Sequence, residues 1–212
     1  MVRTRIKICG LTREQDVDAA VAAGADAIGL VFYPKSPRYV SPERAAELAR
    51  RVPPFVTIVG LFVNASAEDI RAVLERVPVN LLQFHGGEDE AQCRAWPIPY
   101  IRAARVRPGM DLVQYAIDFS SARGILLDAF VEGFGGGGQT FDWSMIPATM
   151  PLPIVLSGGL TADNVGEAVR RLRPPAVDVS SGVESAKGIK DAAKIAAFVA
   201  AVRAADQPAK DA

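Results

Sequence analysis

Arg5-Ile6-Lys7-Ile8-Cys9-Gly10-Leu11-Thr12 is the stretch whose reading decides the fold. Ile6 and Ile8 alternate with Lys7 and Cys9, the period of a β-strand whose two faces meet different surroundings. An open, doubly wound sheet calls for a glycine-rich dinucleotide fingerprint directly after its first strand. Here the strand runs into Cys9-Gly10-Leu11-Thr12, which has a single glycine and no GxGxxG.

Outward from that strand, short β-branched runs alternate with Ala/Glu/Arg-rich helical patterns on a beat of about 26 residues, the 212-residue length over eight. The strand candidates are Arg5–Gly10, Ala27–Phe32, Val56–Val63, Asn80–His85, Tyr100–Val106, Gly124–Asp128, Ile154–Ser157 and Val177–Ser180. Helix starts are signalled by Thr12 with Gln15 as a capping box, Ser41 before Pro42, Ser66 before Asp69 and Thr161 before Asn164. Strict strand–helix alternation implies parallel strands joined by right-handed crossovers. Eight such units without the fingerprint predict an α/β fold of one domain, a parallel (βα)8 TIM barrel over residues 1–204. Residues 205–212 are polar, contain Pro208, and are expected to fray without cost.

Composition narrows the function. With 24 basic and 24 acidic side chains the formal charge is zero, which argues against a nucleic-acid or anionic-membrane surface. No apolar run reaches the ~20 residues of a membrane span and no signal-type core follows the start, so a cytoplasmic location is expected. Cys9 and Cys93 are too few to staple a chain of this length and read as thiols. The lone His85 has no partners for a metal site.

The same period-two argument places Lys7 and Cys9, Leu126 and Asp128, Asp178 and Ser180, and Gln83 with His85 on the barrel interior. Buried ionisable groups cost several kcal/mol unless paired or ligated. Their accumulation near the C-terminal strand ends marks the catalytic face of such a barrel. Closure sets strand eight beside strand one, so Lys7 and Asp178 are expected as an ion pair. Ser157-Gly158-Gly159 and Ser180-Ser181-Gly182 end strands seven and eight, where barrels cradle a phosphate between backbone N–H groups.

The ordered runs Lys7-Ile8-Cys9-Gly10, Phe32-Tyr33-Pro34-Lys35-Ser36-Pro37-Arg38-Tyr39, Leu82-Gln83-Phe84-His85-Gly86, Leu126-Leu127-Asp128, Phe141-Asp142-Trp143, Leu156-Ser157-Gly158-Gly159-Leu160 and Asp178-Val179-Ser180-Ser181-Gly182-Val183-Glu184 resemble the phosphoribosylanthranilate isomerase family of tryptophan biosynthesis. The resemblance spans Lys7 to about Asp191. It implies a (βα)8 barrel performing an Amadori rearrangement of a phosphorylated small molecule, with no cofactor and no metal. It also implies Cys9 as general base and Asp128 as general acid, with Lys7, Arg38, His85 and Asp178 contacting substrate, Arg38 through the anthranilate carboxylate. Gly158, Gly159, Ser180, Ser181 and Gly182 become the phosphate cradle, and the glycine-rich stretch from Ala129 to Thr140 a lid. Gln139 stands where some relatives carry a lysine. Such chemistry calls for a thiol more acidic than its ordinary pKa of about 8.5 and a carboxyl that keeps its proton near neutrality.

Two other readings remain open on the residues alone. A related histidine-pathway aminoaldose isomerase would use two carboxylates where this chain has Cys9 and Asp128. A non-catalytic phosphosugar-binding barrel would need only the cradle. The oligomeric state is not written in the sequence.

Overall fold

The computed structural model describes residues 3–129 and 140–207. Eight parallel strands close into a barrel in sequence order: β1 Arg5–Cys9, β2 Ala27–Val31, β3 Thr57–Phe62, β4 Leu81–Phe84, β5 Tyr100–Val106, β6 Ile125–Ala129, β7 Ile154–Leu156 and β8 Ala176–Val179. Closure is made by β1 against β8, where Lys7 is paired with Asp178 and Ile8 with Val179. Each strand core agrees with the expected run to within a residue or two at its ends. Around the barrel lie α1 Glu14–Ala23, α2 Pro42–Ala49, α3 Ala67–Leu74, α4 Glu90–Arg94, α5 Leu112–Asp118, α6 Ala162–Leu172 and α7 Ala192–Asp206. Between β6 and β7 the described residues hold only a 3₁₀ turn, Trp143–Met145, in which the Ser144 N–H donates to the Asp142 side chain at 2.8 Å. No helix among the described residues is long and apolar enough to cross a membrane.

Alternation explains the two-layered core. Ile6, Ile8, Ile125, Leu127, Val177 and Val179 face the helices and join one large cluster, while Ile101, Ala103 and Leu126 fill the lower barrel interior. Phe32, Phe62, Phe84 and Tyr100 touch in succession at centroid separations of 5.3, 6.4 and 5.8 Å across the outer face of β2 to β5. Each such ring contact adds about 0.5–1.5 kcal/mol beyond area burial. Cys93 is buried on α4, and that burial pushes its thiol up to about 12.

Three of the four expected helix starts are in place. Ser41 accepts from the Arg44 N–H with Pro42 in the first turn, and Ser66 with Asp69 and Thr161 with Asn164 form capping boxes. Thr12 does not cap α1; Arg13 takes that position, and the Thr12 hydroxyl donates instead to the Gly188 carbonyl at 2.7 Å. The competing acceptor comes from a two-stranded antiparallel hairpin that follows the barrel, β9 Glu184–Ala186 with β10 Ile189–Lys190.

The C-terminal expectation also needs correction. Helix α7 continues to Asp206, two residues into the stretch expected to fray. Its carboxylate accepts from the Thr4 N–H at 2.9 Å and the Thr4 hydroxyl at 2.7 Å, tying the last helix to the entry of β1. Residues 208–212 lie outside the described residues.

Candidate active site

The interior face that carries Lys7 and Cys9 on β1 opens upward into a cavity at the C-terminal strand ends. Cys9, Arg38, His85, Asp128 and Asp178 line it, as do Gly158, Gly159, Ser180, Ser181 and Gly182. Ten of the eleven residues singled out from the sequence thus converge on one cavity. The eleventh, Lys7, expected to touch substrate, is 5% exposed and is not among the residues that line the cavity. The expected lid falls largely on residues 130–139, with Gln139 among them, and lies outside the described residues.

The Lys7 ammonium donates to Asp178 Oδ1 at 2.9 Å, and both side chains are nearly inaccessible. Burial opposes the ammonium, but the charges of Asp178 and Cys9 outweigh it and hold the Lys7 pKa above its ordinary value. The Cys9 thiol, 5% exposed, is pulled both ways. Burial pushes its pKa up, Lys7 pulls it down by charge and hydrogen bond, Asp178 pushes it up, and the net direction is upward. This is opposite to the acidified thiol expected from the chemistry. The Lys7 charge that would favour a thiolate is already shared with Asp178, whose second oxygen lies 3.4 Å from the Ser157 hydroxyl.

Across the barrel, Asp128 stands at the end of β6. Its Oδ1 accepts from the Ala129 N–H at 3.0 Å, and Oδ2 lies 3.2 Å from His85 Nε2. The other ring nitrogen of His85 lies 3.1 Å from the Gln83 amide nitrogen. An imidazole met at both nitrogens is fixed in orientation, so His85 holds Asp128 as well as walling the cavity. Gly158, at φ +81°, passes directly behind this carboxyl. A side chain there would place its Cβ 2.6 Å from the Ala129 nitrogen and 3.2 Å from Asp128 Oδ1.

Arg38 reaches over the end of β1 from the loop after β2. Its Nε and Nη2 donate to Glu184 at 2.7 and 2.9 Å, a bidentate pair at the start of the hairpin. Glu184 also accepts from the Lys190 ammonium at 2.9 Å. Burial raises the Glu184 pKa, but Arg38 and Lys190 together hold it below the ordinary carboxylate value. Arg38 was expected as a donor awaiting a carboxylate; two of its three nitrogens are committed to Glu184, which leaves Nη1 to offer. The loops after β7 and β8 come within van der Waals limits of each other: a Cβ on Gly182 would fall 1.9 Å from the Leu160 carbonyl oxygen.

A family model described as N-(5′-phosphoribosyl)anthranilate (PRA) isomerase matches residues 6–201 of the chain. The chain belongs to the N-(5′-phosphoribosyl)anthranilate isomerase family. An isomerase of that name from Dechloromonas aromatica is 70% identical over 206 residues, covering 97% of this chain and 99% of its own. A crystal structure of phosphoribosyl anthranilate isomerase from Thermotoga maritima superposes with a TM-score of 0.88 at 44% identity, over 95% of this chain and 99% of its own. A further phosphoribosylanthranilate isomerase structure, in complex with reduced 1-(o-carboxyphenylamino)-1-deoxyribulose 5-phosphate, matches at 0.85 and 42% identity, over 95% and 99% of the two chains.

The residues that sequence reading missed are partners of those it found. Ser157 was seen only as part of a glycine turn, and Glu184 only as the end of a matched run. Lys190 lies on a two-residue strand, too short for any periodicity to show.

Proposed function

We propose that this chain performs the isomerisation of its family, N-(5′-phosphoribosyl)anthranilate to 1-(2-carboxyphenylamino)-1-deoxyribulose 5-phosphate, by general acid–base catalysis between Asp128 and Cys9. The observation that carries the assignment is the placement of these two groups in one cavity, on β1 and on β6, together with the Gly/Ser loops after β7 and β8. Asp128 donates a proton to the furanose ring oxygen. The C1′–O bond breaks, and the nitrogen lone pair completes a protonated Schiff base. Cys9 then removes the C2′ proton, and the electrons of that C–H bond move to C1′–C2′ while the C=N pair returns to nitrogen. Ketonisation of the enolamine, with protonation at C1′, gives the product.

The raised thiol pKa of Cys9 is compatible with this sequence, because the base is needed only after an iminium cation has formed nearby. That cation acidifies the C2′ proton, and its charge favours prior release of the thiol proton to solvent, which leaves the thiolate as the base. His85 keeps Asp128 aimed, and Lys7, held by Asp178, supplies the hydrogen bond to sulfur. The substrate phosphate is placed at the loops after β7 and β8 and the anthranilate carboxylate at Arg38. The reading includes the cytoplasm as the site of action and no cofactor or metal.

The test is loss of fluorescence from freshly prepared phosphoribosylanthranilate in the presence of a chelator. Turnover that survives chelation in the wild type and collapses in Cys9→Ser and Asp128→Asn supports the assignment. Wild-type turnover in Cys9→Ser removes the thiol from the mechanism.

A further inference from the structure

The β9–β10 hairpin is an addition to the eight-stranded plan, and it is clamped at the barrel mouth. Gly188 at its tip packs so closely on the loop after β2 that a Cβ would fall 2.6 Å from the Pro37 carbonyl oxygen. Thr12 donates to the Gly188 carbonyl, Arg13 donates to the Lys190 carbonyl at 3.1 Å, and the Lys190 N–H donates to Asp16 at 3.2 Å. From this fixed base the Lys190 side chain runs inward and is wholly buried. Its ammonium meets three acceptors, the Ser180 carbonyl at 3.0 Å, the Ser180 hydroxyl at 3.2 Å and Glu184 Oε1 at 2.9 Å. The Ser180 hydroxyl in turn donates to the Cys9 carbonyl at 3.0 Å. Three acceptors match the three protons of an ammonium group.

The Ser180 backbone is neither helical nor extended, with φ −128° and ψ −79°. In a planar trans peptide the carbonyl and the following N–H point in opposite directions. The Lys190 side chain is wholly buried and is not among the residues that line the cavity, whereas Ser180, Ser181 and Gly182 are, so the Ser180 carbonyl is turned to a group outside the cavity. A carbonyl drawn to Lys190 therefore sends the next N–H the opposite way. We propose that Lys190 is a positioning residue for the anion cradle: by holding the Ser180 carbonyl away from the site it turns the Ser181 N–H into the cavity. The inference rests on the reading above that the phosphate lies at the loops after β7 and β8. Burial lowers the Lys190 pKa, and the charge and hydrogen bond of Glu184 oppose that shift.

The test compares two ligands that occupy different ends of the substrate site, inorganic phosphate and anthranilate, as competitive inhibitors of the wild type, Lys190→Met and Ser181→Asp. In Lys190→Met the inhibition constant for phosphate and the KM for substrate are expected to rise about tenfold, with kcat within about threefold and anthranilate inhibition unchanged. A merely structural lysine would weaken both ligands together or neither, and either result overturns the inference. Should Lys190→Met fold poorly, Lys190→Met/Glu184→Gln removes the buried charge together with its partner and, measured against Glu184→Gln alone because Glu184 also holds Arg38, is expected to show the same selective loss of phosphate. Retained phosphate inhibition in that double variant overturns the inference equally. Ser181→Asp places a negative charge in the cradle and is expected to abolish phosphate inhibition. Phosphate inhibition that survives Ser181→Asp overturns the cradle assignment itself; its loss there with retention in Lys190→Met overturns only the role of the lysine.

Discussion

Lys7 and Asp178 face each other in the ladder that closes the barrel, and their side chains meet at 2.9 Å, with Asp178 lining the cavity and Lys7 outside its lining. A buried pair of this kind contributes less than its geometry suggests, because desolvation offsets most of the attraction, but breaking it strands a charge. Lys7→Met or Asp178→Asn alone is expected to cost about 3–5 kcal/mol of unfolding free energy. The double variant should recover a large part of that loss. Denaturant unfolding of all four proteins measures the coupling, and strictly additive losses would rule out the pairing.

The same two residues are expected to move the Cys9 thiol in opposite directions. Lys7 favours the thiolate and Asp178 opposes it, so Asp178→Asn lowers the Cys9 pKa and Lys7→Met raises it further. Thiolate absorbance against pH measures both shifts. Cys93, pushed up to about 12, stays silent over most of the range. Shifts of the same sign in both variants would contradict the electrostatic account.

Asp128→Asn keeps the shape of the side chain and removes the proposed proton donor. The deficit is expected in kcat, of about 10²-fold or more, with KM little changed. His85→Gln should lower kcat by a smaller factor, since it removes the group 3.2 Å from Asp128 and leaves the acid itself. Steady-state kinetics of the two variants separate the roles, and a change confined to KM in Asp128→Asn would make Asp128 a binding residue.

Arg38→Met should weaken the full substrate by about 1.5–3 kcal/mol, the range of a charge-assisted hydrogen bond, and leave a phosphosugar without the anthranilate carboxylate nearly unaffected. Because Glu184 would lose its bidentate partner, the single variant is also expected to unfold more easily. Arg38→Met/Glu184→Gln should regain stability while the affinity stays low. Isothermal titration with both ligands, together with thermal unfolding, distinguishes binding from support; equal losses for the two ligands would make Arg38 a structural residue.

Truncation at the C-terminus has a sharp boundary. Ending the chain after Gln207 keeps the Asp206 carboxylate on Thr4, whereas ending it after Ala204 leaves the buried Thr4 N–H and hydroxyl without that acceptor. The shorter form is expected to lose about 1–3 kcal/mol, the cost of an unsatisfied buried group. Equal melting temperatures for the two forms would refute the tie.

Local signals were legible and distant ones were not. The alternation of Ile6, Lys7, Ile8 and Cys9 shows which side chains enter the barrel, because a strand has only two faces. Lys7 with Asp178 was readable across 171 positions only because barrel closure makes the first and last strands neighbours. No such rule links Arg38 to Glu184 across 146 positions or Thr4 to Asp206 across 202. Thr12 had the residues of a helix cap, but the hairpin carbonyl it prefers is brought there by tertiary packing. The direction of the Cys9 pKa was likewise hidden, since it depends on how much of the Lys7 charge Asp178 already takes.

The closing seam between β1 and β8 also sets an order of events during synthesis. The segment holding Lys7 and Cys9 leaves the ribosome well before the groups that stabilise it, Asp178, Ser180 and Lys190. Until then β1 has β2 on one edge and bare backbone on the other, and Lys7 must stay in water. The Cys9 thiol therefore reaches its folded environment only after β8 and the hairpin have been made, and shorter products of synthesis hold Cys9 without Asp178, Ser180 or Lys190 beside it.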